Sequence, residues 1–326
     1  MPDTHPIDRL LRSTREQLRR RSYSPRTVDT YARWIRRFLR ANPNHALERL
    51  GRKDVERFLT HLAHHHRLAP KSRNQASSAL AFFFREVLGR DELRHIARAK
   101  EPKRIPSVLS HRQVMLVLGE LQGKHRLLAS LMYGAGLRLT EAHRLRVKDI
   151  DFDLMQITVR DGKGAKDRWV MLPDRLVRAL HRQVDAVRTL HAEDRRRGAG
   201  WAPLPHALAR KEPRAGYEID WQFVFPASRW SADSATDRLG RNHLHPTSVQ
   251  RAVKKAGKAC RIPKPVTCHT LRRTFATQML RAGYDVRTVQ RIMGHKDVRT
   301  TMLYIEAITD TGIGMRSPLD QPNRRD

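Results

Sequence analysis

Cysteine is nearly absent: Cys260 and Cys268 are the only two in 326 residues. They offer neither a disulfide framework nor the paired spacing of a zinc site, and they suit a reducing compartment. Acidic side chains are also scarce, 33 Asp and Glu against 65 Lys and Arg, which leaves a formal net charge of +32 and a pI near 11.4. Long apolar runs are missing too. Residues 127–133 and 303–308 hold the longest, far short of the roughly 20 residues of a membrane span, and Met1-Pro2-Asp3-Thr4 does not open a signal peptide. The expectation is a soluble, cytoplasmic protein with no membrane partner. Gly162-Lys163-Gly164 lacks the G-x-x-x-x-G-K-[ST] pattern of a phosphate loop, so nucleotide hydrolysis is not expected. His61, His64, His65 and His66 have no Cys, Asp or Glu in ligand spacing and read as a solvated helix end, so no metal is expected.

What is present is positive charge and enough apolar residue, 39%, to build cores. Residues 1–100 hold 23 Lys and Arg against 10 Asp and Glu, and the remainder 42 against 23. A basic tail on a neutral body would concentrate the excess, whereas a chain that grips a polyanion with two bodies spreads it. Nucleic acid is the first candidate, since neutralising phosphates releases counterions. No small-molecule substrate is indicated.

Apolar spacing divides the chain. Ile7, Leu10, Leu11 and Leu18 begin a helical stripe, and Ser24-Pro25 then supplies a cap with proline at the first helical position. Stripes follow at Val28, Tyr31, Ile35, Phe38 and Leu39, at Val55, Phe58, Leu59 and Leu62, and at Ala76 through Val87. These predict a four-helix domain over 1–95. Residues 96–108, rich in Lys, Arg and Pro, read as a basic linker. A domain over 109–326 opens with a capping box, Ser110 and Gln113. Gly134-Ala135-Gly136 ends a helix, and another begins with Thr140 as its cap. Ile150, Phe152, Ile157, Val159, Trp169, Val170 and Leu172 are strand-type residues, with a turn over 161–166. Helix returns over 174–197. An irregular stretch fills about 200–246, and helices are predicted from a Thr247–Gln250 capping box to Ala259, over 269–282, 286–293 and 297–305. The fold class is mainly α with a small antiparallel β-sheet (α+β).

Several residues carry chemistry. His269 and Arg272, three apart on a helix, share a face on which an imidazole and a guanidinium hold a phosphate together. Gly294-His295 follows, and Tyr304 nine residues later is a candidate nucleophile toward phosphorus. With Arg138 in Gly-Leu-Arg-Leu-Thr-Glu and Lys163 at the hairpin tip, these residues stand in the order of a known family. From about residue 8 to 320 the chain resembles the tyrosine recombinases, the phage-integrase family. Its sites combine an Arg in G-[LT]-R-x-x-E, a hairpin Lys, H-x-x-R, G-H and a tyrosine about nine residues on.

The resemblance implies an N-terminal helical DNA-clamp domain, a catalytic domain, and four protomers acting together on two DNA sites. It implies that Tyr304 attacks the scissile phosphodiester to form a 3′-phosphotyrosyl bond, that Arg138 and Arg272 clamp the nonbridging oxygens, and that Lys163 protonates the leaving 5′-oxygen. His269 assists proton transfer from Tyr304 and His295 hydrogen-bonds the phosphate. Neither metal nor nucleotide cofactor is implied. Lys166 is the rival to Lys163 and otherwise a DNA contact, and Glu141 would orient Arg138.

Within the family, residues 221–228 and 241–248 are similar to the extra segment of the integron integrases. That subgroup integrates and excises gene cassettes, and one of its substrates is a folded single-stranded hairpin with unpaired bases turned outward. Trp221, Trp230, His243 and Pro246 are the candidate base contacts. The chain departs from the family at Arg273, where a histidine is usual, at Ile305 and Glu306 after the tyrosine, and in the insertion at Asn242 and His245. A phage-type or chromosome-resolving recombinase and a non-cutting DNA-binding relative stand as alternatives.

Overall fold

The computed structural model describes residues 6–43, 46–93, 96–100, 107–160, 167–295, 297–298 and 300–302. The chain forms two compact units, Met1–Arg104 and Ile105–Asp326.

Four helices make the first unit: α1 (Pro6–Arg20), α2 (Pro25–Ala41), α3 (Arg52–His64) and α4 (Pro70–Glu86). Ser24 caps α2, its Oγ accepting the Thr27 N–H at 3.2 Å, and Pro25 supplies the fixed φ of the first helical position. The apolar stripes bury Ile35 and Phe38 of α2, Val55 and Leu62 of α3, and Ala79, Leu80, Phe83 and Phe84 of α4 in one core. Phe38 meets Phe58 edge-on at 5.5 Å and lies tilted against Phe84 at 6.1 Å. Each such side chain contributes about 1.5–3 kcal/mol by leaving water. Residues 96–100 do not stand clear as a linker. Ile96 packs on this core, and the Asn74 side chain brackets Ala99, donating to its carbonyl at 3.0 Å and accepting its N–H at 2.8 Å.

The second unit is built around α6 (Gly123–Gly134), which packs against α5 (His111–Gly119), α8 (Asp174–Arg196), α10 (Pro246–Ala259) and α11 (Cys268–Arg281). Leu128, Ala129, Leu131 and Met132 of α6 are fully buried at its centre. The Ser110–Gln113 capping box forms as expected. A three-stranded antiparallel sheet, β1 (Ile150–Asp151), β2 (Gln156–Val159) and β3 (Arg168–Met171), pairs Ile157 with Val170 and Val159 with Arg168. Its alternation turns Ile157, Val159 and Val170 into the core and leaves Trp169 exposed on the other face.

Two helix starts differ from the sequence expectation. The short helix α7 (Leu139–Ala142) is capped at Arg138, not Thr140, because Glu141 rather than a hydroxyl satisfies the first free N–H. Helix α10 begins at Pro246 with His245 as its cap, so the Thr247–Gln250 box does not form. Proline needs no partner at the first helical position, and the His245 ring accepts the Thr247 N–H at 3.3 Å.

Residues 200–246 hold α9 (His206–Lys211), two 3-10 turns and a two-stranded pair, β4 (Ser231–Ala232) with β5 (Leu239–Gly240). Trp201 is buried within this segment, and any Cβ at Gly240 would overlap its carbonyl. The run Phe223-Val224-Phe225 is buried and pairs with the chain just after α7. The Val224 N–H donates to Leu145 and the Val147 N–H to Gln222 at 2.8 and 3.0 Å. Arg146 fastens the same join, donating to the carbonyls of Trp221 at 2.5 Å and Pro203 at 2.6 Å. Burial pulls its guanidinium down to about 10. Among the described residues no helix is long and apolar enough to cross a membrane, and no three His, Cys, Asp or Glu side chains are grouped to hold a metal ion.

Candidate active site

Glu141 is the centre of the site. Its carboxylate is 7% exposed and takes donors from three arginines. Oε1 accepts from Arg138 at 2.6 Å and Arg168 at 3.1 Å. Oε2 accepts from the Arg138 backbone N–H at 2.7 Å and from Arg168 at 2.8 Å, with Arg272 at 3.5 Å. Burial alone would raise the Glu141 pKa. The hydrogen bonds and charge of Arg168, the Arg138 N–H and the charge of Arg272 outweigh it and hold the carboxyl at about 2.

The same three guanidinium groups hold three consecutive carbonyls at the end of α12 (Val286–Met293). Arg168 Nε donates to Ile292 at 2.8 Å, Arg272 donates to Met293, and Arg138 donates to Gly294 at 2.9 Å. A helix leaves its last carbonyls without intrahelical partners, and they form the negative end of its dipole. Three cations there satisfy the orphan oxygens and are themselves fixed in place. Arg272 also donates to the Gly136 carbonyl, which ties it to the loop before Arg138.

His295 follows from that helix end. Gly294 adopts the left-handed conformation, φ 57° and ψ 46°, which turns the chain out of α12. The His295 N–H then returns to Gln290 at 3.2 Å, the Gln290 amide donates to the His295 carbonyl at 3.1 Å, and His295 Nδ1 lies 2.9 Å from the buried Thr301 hydroxyl. His269 and Arg272 share α11, whose start is capped by Thr267 accepting the Thr270 N–H at 3.1 Å. They do not present equally. His269 is exposed in the first turn, while Arg272 is turned inward with its side chain 2% exposed. Arg138 is intermediate, a quarter exposed, with donors to Glu141 and Gly294 accounting for two of the five a guanidinium has.

Arg138, Glu141, Arg272 and the Gly294–His295 turn are thus brought together, with His269 on the Arg272 helix. Lys163, Lys166 and Tyr304 lie outside the described residues, as do Ile305 and Glu306. Arg273 stands beside Arg272 on α11 and is partly exposed. Arg168 was not singled out from sequence, because an arginine in a strand of so arginine-rich a chain carries no signal of its own. Its place in strand alternation, inward beside Val170, is what could have found it.

Residues 107–310 match the sequence profile described as the Phage integrase family, and residues 10–92 that of the phage integrase N-terminal SAM-like domain. The chain belongs to the phage integrase family of tyrosine recombinases. Proteins named "Integrase/recombinase" from Escherichia coli and Pseudomonas aeruginosa are each 43% identical to it over 314 residues, covering 96% of this chain and 93% of theirs. A tyrosine recombinase XerA of Thermococcus onnurineus is 30% identical over 88% of this chain and 86% of its own. Among solved structures, a lambda integrase dimer bound to a core site shares the fold with a TM-score of 0.64 at 17% identity, covering 90% of this chain and 96% of that one. Tyrosine recombinases are DNA strand-transferring enzymes.

The candidate base contacts of the 200–246 segment occupy different settings. Trp230 donates from Nε1 to Asp194 at 2.9 Å, under the Arg197 guanidinium at 4.7 Å, and Asp194 is held in turn by Arg241 at 2.5 Å. His243 packs on His143 with ring centroids 4.3 Å apart and on Phe223 at 5.3 Å. Pro246 is the first residue of α10. Trp221 is partly exposed, with Lys148 Nζ 2.9 Å from its ring centre and the Arg146 guanidinium at 5.2 Å.

His143 gives the site an acid limit. It is 2% exposed, two residues after Glu141, and neither ring nitrogen has a hydrogen-bond partner. Burial, with the charges of His243 and Arg144, pushes its pKa from 6.5 down to about 4. The unfolded chain therefore binds this proton more readily, and stability present above pH 6.5 is lost as pH falls toward 4. At about 1.4 kcal/mol per pH unit this reaches about 3 kcal/mol. His143→Leu is expected to remove most of that dependence in urea unfolding between pH 7 and 4. Glu141 acts in a lower window, its stabilisation present above 4.5 and lost toward 2.

Proposed function

We propose that the chain is a site-specific recombinase of integron type, cutting and rejoining DNA through a 3′-phosphotyrosyl bond on Tyr304 to integrate and excise gene cassettes. The observation that carries the chemistry is the charge of the site. Three guanidinium groups around one carboxylate leave a net charge of +2 in a largely buried cluster. A phosphodiester carries one negative charge, and attack by a tyrosinate makes it two in the pentavalent transition state. A site preorganised at +2 therefore favours the transition state over the ground state.

Arg138 and Arg272 clamp the nonbridging oxygens, and His295 donates to one of them. The Tyr304 hydroxyl gives up its proton with the help of His269, and its oxygen forms a bond to phosphorus. The bond to the 5′-oxygen breaks, and Lys163 supplies the proton that makes the 5′-hydroxyl. A 5′-hydroxyl from another strand reverses these steps, so the bond energy is conserved and exchange needs neither metal nor nucleotide. The partners are DNA, held by both basic units, and three further copies of the chain on paired sites.

The insertion supports the integron reading. It is an ordered segment joined by Arg146 and Val224 to the chain just beyond Glu141. Trp230 and His243 anchor it, and Trp221, flanked by two cations, is the aromatic surface that receives an unpaired base. Two assays test the proposal. A substrate nicked near the cleavage position is expected to trap a covalent complex with the wild type and none with Tyr304→Phe; a trapped complex in that variant overturns the mechanism. Trp221→Ala is expected to weaken binding to a folded single-stranded hairpin with extrahelical bases about tenfold while leaving perfect duplex nearly unchanged. Equal binding of hairpin and duplex by the wild type overturns the integron type.

A further inference from the structure

We infer that Arg168 is a positioning residue of strand transfer, holding Glu141 against the end of α12 in the arrangement that aims Arg138 and His295 at the phosphate. The inference rests on the proposed recombinase chemistry and adds a residue to it. All three edges of the Arg168 fork are engaged: both terminal nitrogens on Glu141 at 3.1 and 2.8 Å, and Nε on the Ile292 carbonyl at 2.8 Å. Arg168 is thus committed inward and acts through its neighbours.

Those neighbours are the parts of the site that sequence separates most. Glu141 holds Arg138 by side chain and backbone. Ile292 precedes the Gly294 turn that delivers His295. Arg168 itself begins β3, five residues after Lys163 in sequence. One planar group therefore sets the spacing of three segments. Gly294 records how close that approach is. A Cβ there would lie 3.1 Å from the Arg168 guanidinium carbon, in a backbone conformation that disfavours side chains in any case. Lysine cannot replace this fork, because one ammonium cannot engage two carboxylate oxygens and a carbonyl in one plane.

The test uses the full chain and the nicked substrate at saturating DNA, with wild type, Arg168→Ala, Arg168→Lys and Arg138→Ala. A second substrate carries a neutral methylphosphonate at the scissile position. That group removes the charge the Arg138 contact serves, so it lessens any defect that arises from misplacing Arg138. Both Arg168 variants are expected to form the covalent complex at least about 100-fold more slowly on phosphate, with DNA affinity within about threefold of wild type. On methylphosphonate, in the stereoisomer that rescues Arg138→Ala, their deficit is expected to shrink to within about tenfold. Rates within threefold of wild type on phosphate overturn the inference. So does an equal deficit on both substrates where Arg138→Ala is rescued, since a loosened fold would slow both alike. Should the alanine variant fail to fold, Arg168→Lys is judged by the same ratios. Failure of the wild type to form any covalent complex overturns the recombinase chemistry instead, and is distinguishable because it does not involve Arg168.

Discussion

Replacing Glu141 with glutamine is expected to destabilise the catalytic unit by about 3–5 kcal/mol, the usual cost of removing one partner from a buried ion cluster. Arg138, Arg168 and Arg272 all converge on this carboxylate, and the amide nitrogen of glutamine would face a guanidinium instead of accepting from it. Urea unfolding at neutral pH measures the loss. The pH dependence identifies its cause: stability of the wild type falls as pH drops from 4.5 toward 2, where a carboxyl held at about 2 is titrated, and the variant lacks that decline. Strand cleavage is expected to fall at least 100-fold, because the single amide oxygen can keep only one of the two contacts, side-chain or backbone, by which Glu141 fixes Arg138.

Arg272→Ala acts on the chemistry more directly. At saturating DNA the rate of covalent complex formation is expected to fall about 10²–10³-fold, the range seen when one preorganised donor to a developing oxyanion is removed. DNA affinity should change little, since one phosphate contact among many is lost. The change also leaves the Gly136 and Met293 carbonyls short of a donor in a buried setting, costing about 1–3 kcal/mol. Arg272→Lys restores the charge and not the fork that reaches both carbonyls, so its rate should remain below about a tenth of wild type. Single-turnover cleavage of the nicked substrate, with binding measured in parallel, separates the effect on rate from the effect on affinity. A variant with unchanged rate at saturation would remove Arg272 from the mechanism.

Much of the fold was legible because its signals are local. Ser24-Pro25 and Ser110–Gln113 announce helix starts by hydrogen-bond chemistry, and the apolar stripes of α2 and α4 fall on their buried faces. Where a cap is made by an unusual group, the local signal misled. Arg138 took the capping place expected for Thr140 and His245 that of Thr247, because a carboxylate three residues on and an imidazole two residues back accept the free N–H groups. Arg138, Glu141 and Arg272 were visible as motif residues, but their convergence was not. Nothing in a linear pattern says that three arginines take three successive carbonyls of α12. Arg168 was missed for the same reason: its partners lie 27 and 124 residues away. The buried, unpartnered imidazole of His143 was equally silent, since in sequence it is one of 17 histidines.

Peptide mapping of the trapped complex shows which side chain carries the cleaved strand, proposed to be Tyr304 through the 3′-phosphate. Wild-type protein is reacted with the nicked substrate, digested with protease and nuclease, and the modified peptide is sequenced by mass spectrometry. One adduct is expected, a 3′-linked nucleotide on the Tyr304 phenolic oxygen, with the released strand bearing a free 5′-hydroxyl. An adduct on any other residue, a 5′-linked phosphate, or cleavage without a covalent intermediate would contradict it.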